Sequence, residues 1–202
     1  TLLWTDISNI FIWLLIFITV GFGLIGFIDD YLKLSKNSHK GLPGKIKLFL
    51  QIVFSFLFSF LLFYYSNEDY TYITFPVFKN LLINIGYFWF LFSMLVIVGS
   101  SNAVNLTDGL DGLAIVPIVI VTATLAIISY LVGNSIFSEY LNLNYIRGMG
   151  EVSIFCSSLV GAGLGFLWFN APPAKIFMGD TGSLATGGAI GAISVMTRNE
   201  FV

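Results

Sequence analysis

The chain has 202 residues, of which 57% are hydrophobic and only 10% are charged, and its mean hydropathy is +0.91. Soluble domains usually carry about 25% charged residues, so this composition excludes an ordinary soluble domain and indicates an integral membrane protein. The net charge of −2 says little, because the positions of the charges matter more than their sum. A single cysteine, Cys156, excludes an intrachain disulfide.

Six apolar runs predict an all-α fold, a polytopic membrane helix bundle that forms one domain over residues 1–202. A spanning helix needs about 20 apolar residues. Five runs reach or approach that length, and a sixth is short and rich in Gly and Ala. The predicted spans are 9–28, 48–65, 86–104, 113–133, 151–170 and 184–197.

Residues 66–79, between the second and third runs, alternate polar and apolar side chains. This pattern predicts a short β-hairpin or an interfacial ribbon on the outer, periplasmic side of the membrane. The orientation follows from five of the nine Lys and Arg residues, which lie close together after the first run: Lys33, Lys36, Lys40, Lys45 and Lys47. By the positive-inside rule their loop faces the cytoplasm. Alternation of the spans then places 105–112 and 171–183 on the same side.

Five of the eleven acidic residues meet at that cytoplasmic edge: Asp29, Asp30, Asp108, Asp111 and Asp180. A carboxylate beside hydrocarbon is costly and usually marks a function or a close partner. On a helical turn Asp108 and Asp111 would share a face, and Gly109 and Gly112 would leave room for a ligand. Carboxylates suit Mg²⁺ and lysines suit phosphate oxygens. The pattern therefore predicts a phosphoryl or pyrophosphate site.

Each of these elements has a simpler explanation when it is taken alone. The pair Asp29 and Asp30 could end a helix at the membrane interface, and the lysines could only set topology and touch anionic headgroups. Thr181 or Ser183 could cap the helix that follows, and His39 suits a solvated loop. Their convergence on one edge of the membrane favours a site.

Three blocks of sequence are similar, in order and in spacing, to the polyprenyl-phosphate N-acetylhexosamine-1-phosphate transferase superfamily. They are "GFIDDYLKLSKNSHKGLPGKIK" (26–47), "SNAVNLTDGLDGLA" (101–114) and "FNAPPAKIFMGDTGSLATGGAIG" (169–191). The resemblance runs from about residue 20 to the end of the chain. Within the superfamily, the second and third blocks favour the muramoyl branch over the branches that transfer N-acetylglucosamine phosphate.

The resemblance also implies residue roles. Asp180 matches the principal Mg²⁺ ligand, and Asp29 and Asp30 match a pair proposed either as base toward the lipid phosphate or as holders of metal and phosphate. The remaining matches are to substrate contacts. They are the polar cleft residues Asn105, Asp108 and Asn170; the uracil pocket of Gly109, Leu110, Asp111 and Phe177, with Phe177 as the stacking face; and the phosphate lysines Lys33 and Lys45, with Lys36 and Lys40 as weaker candidates.

The implied reaction is attack of a lipid phosphate on the β-phosphate of a UDP-sugar, with release of UMP. The implied donor is UDP-N-acetylmuramoyl-pentapeptide and the implied acceptor undecaprenyl phosphate, which together give lipid I for peptidoglycan synthesis. The resemblance also implies Mg²⁺, membrane lipid around the spans, a bacterial inner-membrane location with the site facing the cytoplasm, and a homodimer. No nucleic-acid partner is expected.

The family also carries an N-terminal cytoplasmic loop and a histidine-rich C-terminal motif, and this sequence contains neither. We therefore expect the chain to be a fragment of a longer enzyme, and we expect its 202 residues alone to be inactive.

Three alternatives stay open at this stage. One is N-acetylglucosamine-1-phosphate transfer to a polyprenyl phosphate, which the missing C-terminal region would distinguish. Another is a cation-coupled transporter, although its carboxylates should lie near mid-span and not at one membrane edge. The last is a structural membrane protein, for which the run "NLTDGLDG" has no evident purpose.

Overall fold

The computed structural model describes residues 1–35, 41–66, 70–74 and 82–200, and nearly all of its regular structure is helical. The helices are α1 (Ile10–Ser35), α2 (Gly44–Tyr65), α3 (Phe88–Thr107), α4 (Ile115–Gly133), α5 (Ser135–Leu141), α6 (Val152–Asn170) and α7 (Gly179–Met196), with a 3-10 turn at Met149–Glu151. Two short strands, β1 (Tyr72–Thr74) and β2 (Leu82–Asn84), form an antiparallel pair. The predicted all-α fold is confirmed.

Five helices in the described residues are long and apolar enough to cross a membrane: α1, α2, α3, α4 and α6, the last together with its preceding 3-10 turn. They correspond to the first five predicted spans, so the polytopic bundle is confirmed. The sixth predicted span is α7, which is not among these five. Most of its C-terminal half is buried inside the bundle.

The structure corrects several predicted boundaries. Helix α2 begins at Gly44 and not at 48, α3 ends at Thr107 and not at 104, and α7 begins at Gly179 and not at 184. Helix α1 does not end at 28 but continues to Ser35, so Asp29 and Asp30 lie on the helix itself. The hairpin exists, but its second strand is Leu82–Asn84, beyond the predicted limit of 79. The weaker candidates Lys36 and Lys40, and also His39, lie outside the described residues.

One short helix, α5, was not predicted. The side chain of Asn134 caps it by accepting hydrogen bonds from the backbone N–H groups of Ile136 and Phe137, at 3.0 and 3.2 Å. It ends at Asn142, which has a left-handed backbone with φ of 54°. Seven residues are too few for a periodic apolar pattern to appear in the sequence.

Helix α7 lies at the centre of the bundle, against α1 on one side and α3 on the other. The hydroxyl groups of Ser100 and Ser101 on α3 donate hydrogen bonds to the backbone carbonyls of Gly187 and Leu184. Helix α2 packs on both α1 and α3, and α4 pairs with α6. This arrangement brings the C-terminal end of α1, the C-terminal end of α3 and the N-terminal end of α7 together.

Candidate active site

Three carboxylates, which we call the acidic cluster, meet where α1 approaches α7. Asp29, Asp30 and Asp180 each offer an oxygen atom, and these atoms all lie within 4.8 Å of one another. The approach depends on Gly26, because a Cβ atom at that position would meet the backbone of Asp180 and of Thr181. The sequence prediction that these carboxylates converge agrees with this geometry.

Asp180 is the most heavily contacted member of the acidic cluster. Its Oδ2 accepts hydrogen bonds from the Nζ atoms of Lys33 and Lys47, at 2.8 and 3.0 Å. Its Oδ1 accepts from Nδ2 of Asn105 at 2.7 Å, and the same nitrogen lies 2.8 Å from Oγ of Ser183. Burial raises the pKa of Asp180, but hydrogen bonds with Asp29, Lys33, Asn105 and Lys47 outweigh it and hold that pKa below its usual range.

Asp29 faces a cavity beside the cluster. It is only 3% exposed, and its carboxylate contacts Nζ of Lys33 at 2.6 Å and accepts from the backbone N–H of Leu42 at 2.6 Å. The cavity has a volume of about 520 Å³ and is lined by Asp29, Lys33, residues 41–44, Lys47 and Asp180. Two carboxylates and two ammonium groups therefore line a space large enough for a phosphate group.

Asp30 shares Lys33 with Asp29, since Nζ of Lys33 lies 3.7 Å from Oδ1 of Asp30, but its hydrogen bonds go to different groups. Its Oδ2 accepts from the backbone N–H of Thr181 at 3.0 Å and from the Thr181 hydroxyl at 2.9 Å. This is the bond that a capping residue makes at a helix N-terminus, but here a neighbouring helix supplies it. Gly179, with φ of 66°, starts α7, and a Cβ there would lie 3.0 Å from the same Oδ2. Thr181 lies inside α7, so neither it nor Ser183 is the cap considered in the sequence analysis.

The two aspartates in the loop between α3 and α4 lie beside different parts of the protein. Asp108 lies beside the acidic cluster, where burial raises its pKa and the charges of Asp180 and Asp30 raise it further, against the backbone N–H of Gly179, which lowers it. Asp111 instead accepts from the backbone N–H of Ala174 at 3.0 Å. The two carboxylates do not share a helical face, because residues 108–114 form turns and not a helix.

The side chain of Asn170 links the α3–α4 loop to the segment that follows α6. Its Oδ1 accepts from the backbone N–H of Gly112 at 3.0 Å, and its Nδ2 donates to the carbonyl of Ile176 at 2.8 Å. It is 4% exposed. Asn170 and Asp111 therefore fix the 171–178 segment against the α3–α4 loop.

The residues predicted to hold a uracil ring are accessible. Leu110 is 70% exposed and Phe177 is 71% exposed, and Gly109 is exposed, with open space where a Cβ would lie. A second, mainly apolar cavity of about 500 Å³ is lined by Leu110, Asp111, Gly112, Leu113, Val116, Pro117, Leu167 and Pro172. Nothing in these contacts tests ring stacking, so the uracil pocket stays a prediction.

The lysines differ from the sequence-based choice. Lys45 is exposed and makes no ion pair within the described parts of the chain, whereas Lys47 reaches Asp180. Lys47 was counted in the basic loop but was not chosen as a site residue. The sequence did contain a signal for Lys47, because Lys47, Gln51, Ser55 and Ser59 recur every four residues along α2.

Comparison with known proteins shows the family of the chain. The model of glycosyl transferase family 4 matches residues 12–198. Three curated relatives named phospho-N-acetylmuramoyl-pentapeptide-transferase are 58% identical over 202 residues (Pelagibacter ubique), 54% over 203 residues (Granulibacter bethesdensis) and 55% over 202 residues (Rickettsia montanensis). Each alignment covers 100% of this chain and 56% of the relative, so the chain spans about half the length of these relatives. The chain belongs to glycosyl transferase family 4.

Proposed function

We propose that the full-length parent transfers phospho-N-acetylmuramoyl-pentapeptide from its UDP-linked donor to undecaprenyl phosphate, releasing UMP and forming lipid I. The observation that carries this proposal is the acidic cluster, which shares a cavity with Lys33 and Lys47 at one end of a bundle of apolar helices. The names of the three relatives support the same reaction. We further propose a bacterial inner-membrane location with this end facing the cytoplasm, as the lysine distribution suggests, and a homodimer on the family resemblance alone.

The acidic cluster has the chemistry that Mg²⁺ requires. Its donors are carboxylate oxygens, which are hard ligands, and they lie close enough together to share one ion. Asp180 is the proposed principal ligand, with Asp29 and Asp30 beside it. When bound, Mg²⁺ would neutralise charge on the pyrophosphate and on the departing UMP.

Phosphoryl transfer requires two anionic substrates to approach each other. Lys33 and Lys47 place two positive charges on the wall of the cavity, where they lower the electrostatic cost of that approach. Each is held by Asp180 and so is already oriented before a substrate arrives.

The two neighbouring aspartates are proposed to have different roles. Asp29 lines the cavity and is therefore the better placed of the two to act on the acceptor phosphate. Asp30 uses one carboxylate oxygen to cap α7 and so positions Asp180. A lipid phosphate is largely ionised at neutral pH, so we assign electrostatic positioning more weight than proton transfer.

The role of Asp30 predicts the effect of a change at Thr181. Replacing Thr181 by Val in the parent removes the hydroxyl that donates to Asp30 and preserves the shape of the side chain. Because this bond fixes the start of α7, we expect the rate of transfer to fall about tenfold, as for other outer contacts of a metal site. Thr181→Ser keeps the hydroxyl and should retain most of the activity. Equal activity of the two variants would contradict the assigned role.

The proposed reaction is tested by UMP release from the purified parent in detergent, with undecaprenyl phosphate and Mg²⁺. UDP-N-acetylmuramoyl-pentapeptide should support release, and chelation of the metal should stop it. Release with UDP-N-acetylglucosamine alone would assign the parent to the N-acetylglucosamine branch. A folded parent that releases UMP from neither donor would refute the enzyme and leave the transporter as the function to test.

A further inference from the structure

One face of α2 carries polar side chains deep into an apolar bundle. Lys47, Gln51, Ser55 and Ser59, which we call the polar stripe, follow at intervals of four and therefore share a face. Gln51, Ser55 and Ser59 are each 0% exposed. Buried polar groups weaken folding unless they are hydrogen-bonded, so the partners of the polar stripe indicate what it does.

Two hydrogen bonds join the polar stripe to α3. Nδ2 of Asn102 donates to Oε1 of Gln51 at 2.8 Å, and it also lies 2.8 Å from the carbonyl of Val98 in its own helix. Deeper in the bundle, the hydroxyls of Ser59 and Ser93 share a hydrogen bond of 2.7 Å. Nε2 of Gln51 has no partner among the described residues. An apolar side chain of the same size would avoid that cost, so packing alone does not account for a glutamine here.

The Gln51–Asn102 bond lies one helical turn from the contacts that hold Asp180. Lys47 precedes Gln51 by four residues on α2, and Asn105 follows Asn102 by three on α3, so each pair shares a helix face. Lys47 donates to Oδ2 of Asp180 and Asn105 donates to Oδ1. Side chains from α2 and α3 therefore bind opposite oxygens of the Asp180 carboxylate. The hydrogen bond between the side chains of Gln51 and Asn102 joins the same two helices about one turn deeper in the bundle.

We propose that Gln51 and Asn102 are positioning residues: their hydrogen bond fixes α2 against α3 so that Lys47 and Asn105 hold Asp180 in a single orientation. The proposal deepens the proposed function and rests on it for its effect on rate. Its structural part concerns only how Lys47 is held and does not need the enzyme to turn over.

The decisive variant is Gln51→Met in the full-length parent, because methionine matches glutamine in size and suits an apolar helix. We expect kcat to fall about tenfold, in the range seen for outer contacts of functional sites, with KM for the donor unchanged. We also expect faster acetylation of Lys47 by acetic anhydride, followed residue by residue with mass spectrometry. Exposed Lys45 provides the internal reference.

Ser59→Ala is the matched control, because it breaks the other buried hydrogen bond between α2 and α3, far from Asp180. It should leave both kcat and Lys47 acetylation at wild-type values. The exchange variant Gln51→Asn with Asn102→Gln keeps one amide on each helix and should restore much of the rate lost in Gln51→Met. If Gln51→Met does not fold, Asn102→Leu breaks the same bond from α3 and carries the same expectations.

Two results would overturn the proposal. One is that Gln51→Met leaves both kcat and Lys47 acetylation unchanged. The other is that Gln51→Met and Ser59→Ala reduce activity alike, in proportion to lost thermal stability, since both bonds would then serve packing only. A wild-type parent that releases no UMP would refute the proposed function, and the acetylation of Lys47 would still decide whether Gln51 and Asn102 position it.

Discussion

Replacing Asp180 by Asn in the full-length parent is expected to slow UMP release about a thousandfold, the scale seen when a major electrostatic group leaves an active site. Asparagine keeps the shape of the side chain and an oxygen for Asn105, but it removes the charge that Lys33 and Lys47 both contact. It also removes the proposed principal ligand of Mg²⁺. Initial rates with saturating donor and acceptor, over a range of Mg²⁺ concentrations, measure the effect.

Asp6→Asn provides a control of the same chemistry. Asp6 is exposed and lies beside Glu151, which precedes α6, whereas the site lies near Asn170, at the other end of that helix. The control should keep the wild-type rate. Thermal unfolding of both variants in detergent separates lost chemistry from lost structure. A folded Asp180→Asn variant that works nearly as fast as wild type would show that Asp180 is not central to the reaction.

Replacing Gly26 by Ala is expected to damage both stability and activity. The added Cβ would lie 2.5 Å from the carbonyl carbon of Asp180 and 2.7 Å from Cα of Thr181. Both are backbone atoms that cannot rotate away, so α1 and α7 must separate. Overpacking of this kind costs about 1–3 kcal/mol of unfolding free energy. Because the separation falls within the acidic cluster, transfer should be lost even in molecules that stay folded.

Gly23→Ala is the matched control for this change. Gly23 lies on the same side of α1, one turn earlier, and a Cβ there would meet the Cβ of Ala185 at 3.5 Å, an ordinary contact. Alanine is also about 1 kcal/mol better than glycine inside a helix. We expect Gly23→Ala to match or exceed the thermal stability of wild type and to keep its activity. Similar losses in both variants would mean that the approach of α1 to α7 is not limiting.

The positions of the spans could be predicted because a membrane helix must be apolar over most of its length. The end of α1 could not, because the predicted span stopped at the first charged residues. In the structure Asp29 and Lys33 pair with each other while the helix continues. Their spacing of four residues allows this pair on a helix, but the contacts from Leu42 and from α7 that hold both side chains come from distant segments and are not visible in the local pattern.

The topology alone predicted that the acidic residues lie at one edge of the membrane. It did not predict which groups each carboxylate contacts. Asp29 and Asp30 are adjacent in sequence and both lie near Lys33, but they bond to different segments, Leu42 and Thr181, because they point about 100° apart around a helix. The choice between Lys45 and Lys47 depends on the rotation of α2, which a charge count cannot provide. The four-residue spacing from Lys47 to Gln51 would have indicated it.

The central position of α7 suggests how the bundle is stabilised in the membrane. This helix is rich in glycine and small polar residues and is not among those apolar enough to span a membrane by composition. Alone in lipid it would gain little, whereas close backbone packing on α1 and α3 supplies the missing stabilisation. We therefore expect α7 to enter the membrane stably only against α1 and α3, so that Asp180 meets its lysines after those helices are in place. On this expectation the acidic cluster forms late, because Asp180 comes from α7 whereas Asp29 and Asp30 come from α1.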